Sequence, residues 1–105
     1  MKLDSTNFYD NVSQGECLVK FYANWCGPCK AYAPTFEEFA QENSEIKCFS
    51  VDCELAQEIT DDFDVKSIPV TIFFVNGAEV ARKPGKLTKE QLLSMVSNKL
   101  PEEDF

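Results

Sequence analysis

Two cysteines separated by a glycine and a proline, Cys26 and Cys29, constrain this chain more than any other feature. An apolar run, residues 18–23, comes just before them, and a stretch with helix-like spacing of apolar residues, about 30–42, comes just after. The pair is therefore predicted to lie where a buried strand passes into a helix, with Cys26 at the helix N-terminus. Pro28 suits this position because the first helical turn has no N–H bonds to lose. The other elements must be arranged around this junction.

The predicted position of the two cysteines favours reversible sulfur chemistry. Free backbone N–H groups and the positive end of the helix dipole gather at a helix N-terminus. Both stabilise a thiolate, so the pKa of Cys26 is predicted to fall below its free value. Cys29 lies about one turn further on the same face, at a Cα separation of about 5–6 Å that a disulfide can close. Half of a zinc site and inert packing of the sulfurs are alternatives that the motif leaves open.

The segment Trp25–Lys30 resembles the active-site motif of the thioredoxin family. The resemblance extends over nearly the whole chain, in the family's order and spacing. Its further segments are the strand residues 19–23, Pro34 as a helix-kinking proline, the segment Ile68-Pro69-Val70, the turn Asn76-Gly77 and the late Pro84-Gly85. It implies an α/β thioredoxin fold, with a central mixed β-sheet flanked by helices on both faces.

Patterning along the chain predicts the same kind of sheet. The predicted strands are a short edge strand at 1–3 and the segments 17–23, 46–52, 70–75 and 78–83, the last two joined by a two-residue hairpin. The predicted helices are 8–12, 27–42, 54–62 and one after Thr88 with Leu92, Leu93 and Val96 facing inward. Strands that alternate with helices and end in a hairpin indicate a mixed sheet covered on both faces. Residues 101–105 are predicted to be a solvated acidic tail.

Bulk properties limit the possible partners. The 105 residues are predicted to form a single domain, 1–105, and we expect a monomer. A net charge of −8 speaks against nucleic acid or an anionic membrane as partner. No apolar run is long enough to span a bilayer and no signal peptide is evident, so a cytoplasmic location is expected. In that reducing environment the remaining cysteines, Cys17, Cys48 and Cys53, are interpreted as buried core thiols.

The family resemblance also implies roles for individual residues. Cys26 would be the nucleophile and Cys29 the thiol that resolves the mixed disulfide. Pro69 would follow a cis bond and leave the Ile68 backbone free to pair with a substrate strand. Trp25 is expected to dock substrate rather than to serve only in packing. The predicted substrate-binding residues are Trp25, Gly27, Pro28, Ile68, Pro69 and Gly85.

Lys20 departs from the family pattern. Thioredoxins usually carry a carboxylate here, beneath the second cysteine, as a proton acceptor paired with a lysine at the position that aligns with Ser50. Apolar neighbours predict that Lys20 is at least partly desolvated, although its side chain could instead extend to solvent. A charged Lys20 would stabilise nearby thiolates and a neutral one could accept the proton of Cys29; we favour the charged form.

The function implied by the resemblance is protein-disulfide reduction through Cys26 and Cys29. The protein would bind no cofactor or metal and would take electrons from NADPH through a thioredoxin reductase. Its expected partners are disulfide-containing proteins such as peroxiredoxins, methionine sulfoxide reductase or ribonucleotide reductase. In the wider fold, a histidine beside the second cysteine resembles the oxidising disulfide isomerases. This chain has no histidine, and Pro28 occupies that position, so the resemblance favours a reductant.

Three alternatives remain at this point: a disulfide oxidase or isomerase, a zinc-binding module, and an interaction domain with idle cysteines. The zinc alternative is weakened because Cys48 and Cys53 are separated by an odd number of positions on one predicted strand. Their side chains would then point to opposite faces, whereas a tetrahedral site needs its ligands to converge.

Overall fold

A computed structural model describes residues 1–97 of the chain. The strands are β1 (Lys2–Leu3), β2 (Glu16–Tyr22), β3 (Lys47–Asp52), β4 (Val70–Val75) and β5 (Ala78–Pro84). The helices are α1 (Phe8–Val12), α2 (Gly27–Glu42), α3 (Gln57–Asp62) and α4 (Lys89–Ser97). The predicted order of elements is confirmed within these residues, and the acidic tail predicted for 101–105 lies outside them.

The sheet is mixed and β2 is its central strand. The strand order is β1-β3-β2-β4-β5, and β2 pairs parallel with β3 but antiparallel with β4. In this register Lys20 lies directly opposite Ser50 on one side and Thr71 on the other. β4 returns as β5 through Asn76 and Gly77, both with positive φ, as a two-residue hairpin requires. The mixed sheet predicted from the chain is confirmed.

Alternate residues of β2 point into two separate cores, because successive side chains of a strand face opposite sides. Leu18 packs in the α2/α4 core, which contains Tyr32, Phe36, Phe39, Phe73, Leu92, Met95 and Val96. Cys17, Val19 and Phe21 pack in the α1/α3 core, which contains Phe8, Val12, Val51, Ile59, Ile72 and Phe74. Helices therefore cover both faces of the sheet, as predicted.

Two details of the predicted helices are wrong. α3 begins at Gln57 rather than Glu54, because the Asp52 carboxylate accepts the backbone N–H of Glu54 at 2.9 Å and forms a turn after β3. This turn leaves Leu55 72% exposed. Leu93 was predicted to face inward but is half exposed, since α4 packs through the buried residues Leu92, Met95 and Val96.

A buried pair of hydroxyl groups joins α2 to β4 inside the α2/α4 core. The Tyr32 hydroxyl and Thr71 Oγ1 lie 2.7 Å apart, and both side chains are almost fully buried. Burial raises the pKa of Tyr32 to about 12, so the phenol stays protonated at neutral pH. Each hydroxyl therefore provides the other with a hydrogen-bond partner where water is excluded.

Loss of either hydroxyl should destabilise the fold. We expect Tyr32→Phe and Thr71→Val each to lower the free energy of unfolding by about 1–3 kcal/mol, because the remaining hydroxyl is left buried without this partner. The double variant should cost less than the sum of the two. Urea denaturation of the oxidised protein measures all three. Tyr9→Phe is the matched control, since it removes an exposed hydrogen bond from Tyr9 to Asp62; an equal loss of stability in that variant would contradict the prediction.

Candidate active site

The two motif cysteines form a disulfide at the start of α2. Cys26 is the residue that caps α2, with extended backbone, and its Sγ accepts the backbone N–H of Cys29 at 3.2 Å. The Cα atoms of the pair are 5.2 Å apart, within the predicted range. Pro28 lies in the first helical turn, where no intrahelical N–H bond is lost. The prediction of a disulfide-forming pair at a strand-to-helix junction is confirmed.

The disulfide packs against residues at the ends of the central strands. Cys26 and Cys29 are 5% and 3% exposed and cluster with Ala23, Tyr22 and Ile68. Cys26 Sγ lies 3.9 Å from the carbonyl oxygen of Ile68. The sulfur pair therefore lies directly beside the segment that enters β4.

That segment has the geometry that the resemblance implied. The bond between Ile68 and Pro69 is cis. The Pro69 carbonyl accepts the backbone N–H of Gly85 at 2.8 Å, which joins the start of β4 to the end of β5. Gly85 has a φ of 89° and open space where a Cβ would stand. The expected residues Ile68, Pro69 and Gly85 are thus brought together, and Ile68 lies beside Cys26.

Exposed residues border the disulfide on its other side. Trp25 is 67% exposed, and its Nε1 donates a hydrogen bond to Glu54 Oε2 at 2.7 Å. Gly27 and Pro28 are exposed, and a Cβ on Gly27 would meet no atom within 4 Å. The sequence reasoning missed Glu54 because it placed this residue in a helix. The signal that could have found it is Asp52 directly before Cys53-Glu54, a side chain suited to a turn.

Lys20 is buried in the middle of β2. It is 8% exposed, so the alternative in which its side chain extends into solvent is wrong and the predicted desolvation is confirmed. Its Nζ lies 5.2 Å from the centre of the Phe36 ring and 5.3 Å from that of Tyr22. Burial lowers the pKa of Lys20, and the charge of Glu37 partly opposes this shift.

The three remaining cysteines are free thiols in apolar surroundings. Cys17 is fully buried, while Cys48 and Cys53 are half-buried rather than buried as predicted. Burial raises the pKa of all three, that of Cys48 to about 11. Cys53 follows β3 instead of lying on it, so the argument from opposite strand faces does not apply to it. Residues 1–97 nevertheless contain no group of three or more Cys, Asp or Glu residues that could hold a metal ion.

Comparison with known proteins identifies the family to which these features belong. The family model described as Thioredoxin matches residues 1–98. The chain belongs to the thioredoxin family. The chemistry of the Cys26–Cys29 pair is therefore dithiol–disulfide exchange, and the protein is a disulfide oxidoreductase.

Individual relatives match most of the chain. Thioredoxin from Mycoplasmoides gallisepticum is 40% identical over 75% of this chain and 79% of that protein. Thioredoxin from Chlamydia trachomatis is 36% identical over 87% of this chain and 89% of its own length. A bifunctional thioredoxin reductase/thioredoxin from Mycobacterium leprae is 38% identical over 93% of this chain, which corresponds to 22% of the larger protein. No helix within residues 1–97 is both long and apolar enough to cross a membrane.

The reduced protein should react selectively with an alkylating agent. At pH 7 to 8 we expect Cys26 to be alkylated first, because its sulfur caps the N-terminal end of α2 and accepts a backbone N–H there. Thiols with raised pKa values stay protonated in this range and react slowly, so Cys17, Cys48 and Cys53 should be modified at a rate at least about tenfold lower. Peptide mass mapping after brief exposure to iodoacetamide measures the order. Modification of Cys48 before Cys26 would contradict it.

Proposed function

We propose that the protein is a cytoplasmic protein-disulfide reductant recharged with electrons from NADPH by a thioredoxin reductase. The observation that carries this proposal is the position of the Cys26–Cys29 disulfide. It packs against Ile68 and is bordered on the surface by the exposed Trp25. A cytoplasmic location accords with three free thiols, which persist in a reducing environment. We further propose that the chain acts as one domain, 1–105, and as a monomer.

The two cysteines would act in sequence. The Cys26 thiolate attacks one sulfur of a substrate disulfide, and the other substrate sulfur leaves with the electron pair and takes a proton. Cys29 then attacks Cys26 Sγ, the bond from Cys26 to the substrate breaks, and the second substrate sulfur leaves as a thiolate. The protein is thereby oxidised to its disulfide while the substrate gains two electrons. The position of Cys26 at the N-cap, with Cys29 inside the first turn of α2, supports this order.

The surface around the disulfide would bind the substrate as an extended strand. Ile68 lies beside Cys26 and precedes the first paired residue of β4. Its backbone can therefore hydrogen-bond the backbone of a substrate, with little dependence on the substrate's sequence. The exposed Trp25 supplies an apolar contact at the opposite edge. The residues proposed to form this surface are Trp25, Gly27, Pro28, Ile68, Pro69 and Gly85.

The proposed partners follow from this chemistry. The Mycobacterium leprae relative is named a bifunctional thioredoxin reductase/thioredoxin, which supports a thioredoxin reductase as electron donor here. Electron acceptors would be disulfide-containing proteins such as peroxiredoxins, methionine sulfoxide reductase or ribonucleotide reductase. Nucleic acid is not proposed as a partner, because the net charge of −8 repels phosphates.

A coupled assay tests the proposed function. The protein is mixed with NADPH, a thioredoxin reductase and a disulfide-bonded protein substrate, and the loss of NADPH absorbance is followed. We expect turnover that depends on all three components and is abolished in a Cys26→Ser variant. Absence of turnover with several thioredoxin reductases would refute the electron route. Net formation of disulfides in a reduced substrate, without reduction of oxidised substrate, would instead favour an oxidase.

Removal of the second cysteine should trap substrates. We expect Cys29→Ser to accumulate mixed disulfides through Cys26, because no thiol remains to resolve them. Cys26→Ser is the matched control and should trap none. The adducts are separated on non-reducing gels of a mixture with the disulfide-bonded substrate and identified by mass spectrometry. Equal trapping by both variants would overturn the assigned order of the cysteines.

A further inference from the structure

The side chain of Lys20 is a buried cation whose ammonium lacks a close counterion. It is more than nine-tenths buried, yet it forms no hydrogen bond or salt bridge with any residue in the range 1–97. Its Nζ lies over the faces of the Tyr22 and Phe36 rings, 5.3 Å and 5.2 Å from their centres. Ring faces compensate an ammonium only in part, and burial of an unpaired charge costs free energy. A negative charge that appeared nearby in another state of the protein would therefore stabilise the ammonium.

A cavity of about 280 Å³ is lined by both Cys29 and Lys20. Lys20 and Cys29 lie on its wall together with Tyr22 and Ser50, and the exposed side chains of Asn24 and Lys30 connect it to solvent. An adjoining cavity of about 380 Å³ also includes Lys20 and is lined by Glu37 and Cys48. The oxidised Cys29 is neutral, so the cavity that Lys20 shares with it contains no thiolate in this state.

The charged and titratable groups around Lys20 come from every element packed against it. Tyr22 lies on the same strand, and Cys29, Lys30 and Glu37 project from α2. Cys48 lies on β3, and Met1, whose amino group carries the chain's N-terminal charge, precedes β1. β4 contributes only the hydroxyl of Thr71, which is paired with Tyr32. Of these groups, Cys29 is the one whose charge changes during the proposed reaction.

We propose that Lys20 is a positioning residue for the reaction, the buried counterion of the Cys29 thiolate that resolves the mixed disulfide. The inference rests on the proposed function. When Cys26 is joined to a substrate sulfur, Cys29 is a free thiol and loses its proton to solvent through the cavity. The ammonium stabilises the resulting thiolate, which attacks Cys26 Sγ. The bond from Cys26 to the substrate then breaks, and the substrate sulfur leaves with the electron pair and takes a proton from solvent. Lys20 keeps its own protons throughout.

Two-phase kinetics isolate the step on which Lys20 acts. Reduced protein is mixed in stopped flow with a symmetric aromatic disulfide whose thiolate product is coloured. The first, concentration-dependent phase reports attack by Cys26, and the second, concentration-independent phase reports attack by Cys29. We expect Lys20→Met to slow the second phase about tenfold at pH 7 and to raise the midpoint of its pH profile by about one unit. The first phase should change less than the second.

Matched variants distinguish charge from other roles. Lys2→Met removes the same charge from an exposed position that lines neither cavity and should leave both phases unchanged. Lys20→Arg keeps a permanent positive charge and should retain most of the parent rate. If Lys20→Arg is as slow as Lys20→Met while both remain folded, a proton-accepting lysine explains the data and the proposal is overturned. An unchanged second phase in Lys20→Met also overturns it.

A measurement of the redox equilibrium distinguishes an electrostatic role of Lys20 from a purely structural one. In glutathione buffers at pH 9, Lys20→Met should shift the equilibrium about tenfold towards the disulfide, or about 30 mV towards a more negative potential. The shift arises because the substitution destabilises the thiolate of the reduced form but not the neutral disulfide. A changed unfolding midpoint with an unchanged potential would refute the proposal. Failure of the parent protein to release any coloured product would instead refute the proposed function.

Discussion

A single sulfur atom forms the junction on which the structure depends. Cys26 Sγ accepts the N–H of Cys29 and so occupies the place that a serine or aspartate oxygen usually takes at the start of a helix. The same residue ends the turn that follows the central strand, since the backbone N–H of Cys26 donates to the carbonyl of Ala23. Because the reactive atom is itself part of the helix cap, the geometry of the chemistry and the geometry of the fold cannot change independently.

The central strand also explains how a polar site exists next to an apolar core. β2 contributes Cys17, Val19 and Phe21 to one core, and its alternate residues Leu18 and Lys20 face α2. Around Lys20 the side chains that meet across the sheet are Ser50 and Thr71, both hydroxyl-bearing. The α2 face of the sheet is therefore apolar towards one end and polar around Lys20, which lines the same cavity as Cys29.

The sequence predicted best those features that depend on neighbouring residues. The cysteine spacing, the bounds of α2 and the hairpin at Asn76 and Gly77 follow from local backbone preferences, and the structure has them as predicted. The cis bond before Pro69 came only from the family resemblance. The pairing of Tyr32 with Thr71 joins residues 39 positions apart, and the bond from Trp25 to Glu54 joins residues 29 apart. Neither has a local signal, because each depends on how α2 and the turn after β3 settle against the sheet.

The raised pKa values of the three remaining thiols determine where oxidative damage begins. Oxidants such as peroxide attack the thiolate form, and Cys17, Cys48 and Cys53 are held protonated by burial. Peroxide that reaches the protein therefore meets Cys26 first, and the sulfenic acid formed there can condense with Cys29 to give the disulfide that exchange already produces. Oxidation at Cys26 thus ends in the disulfide of the exchange reaction itself, whereas burial keeps the other three cysteines in the less reactive thiol form.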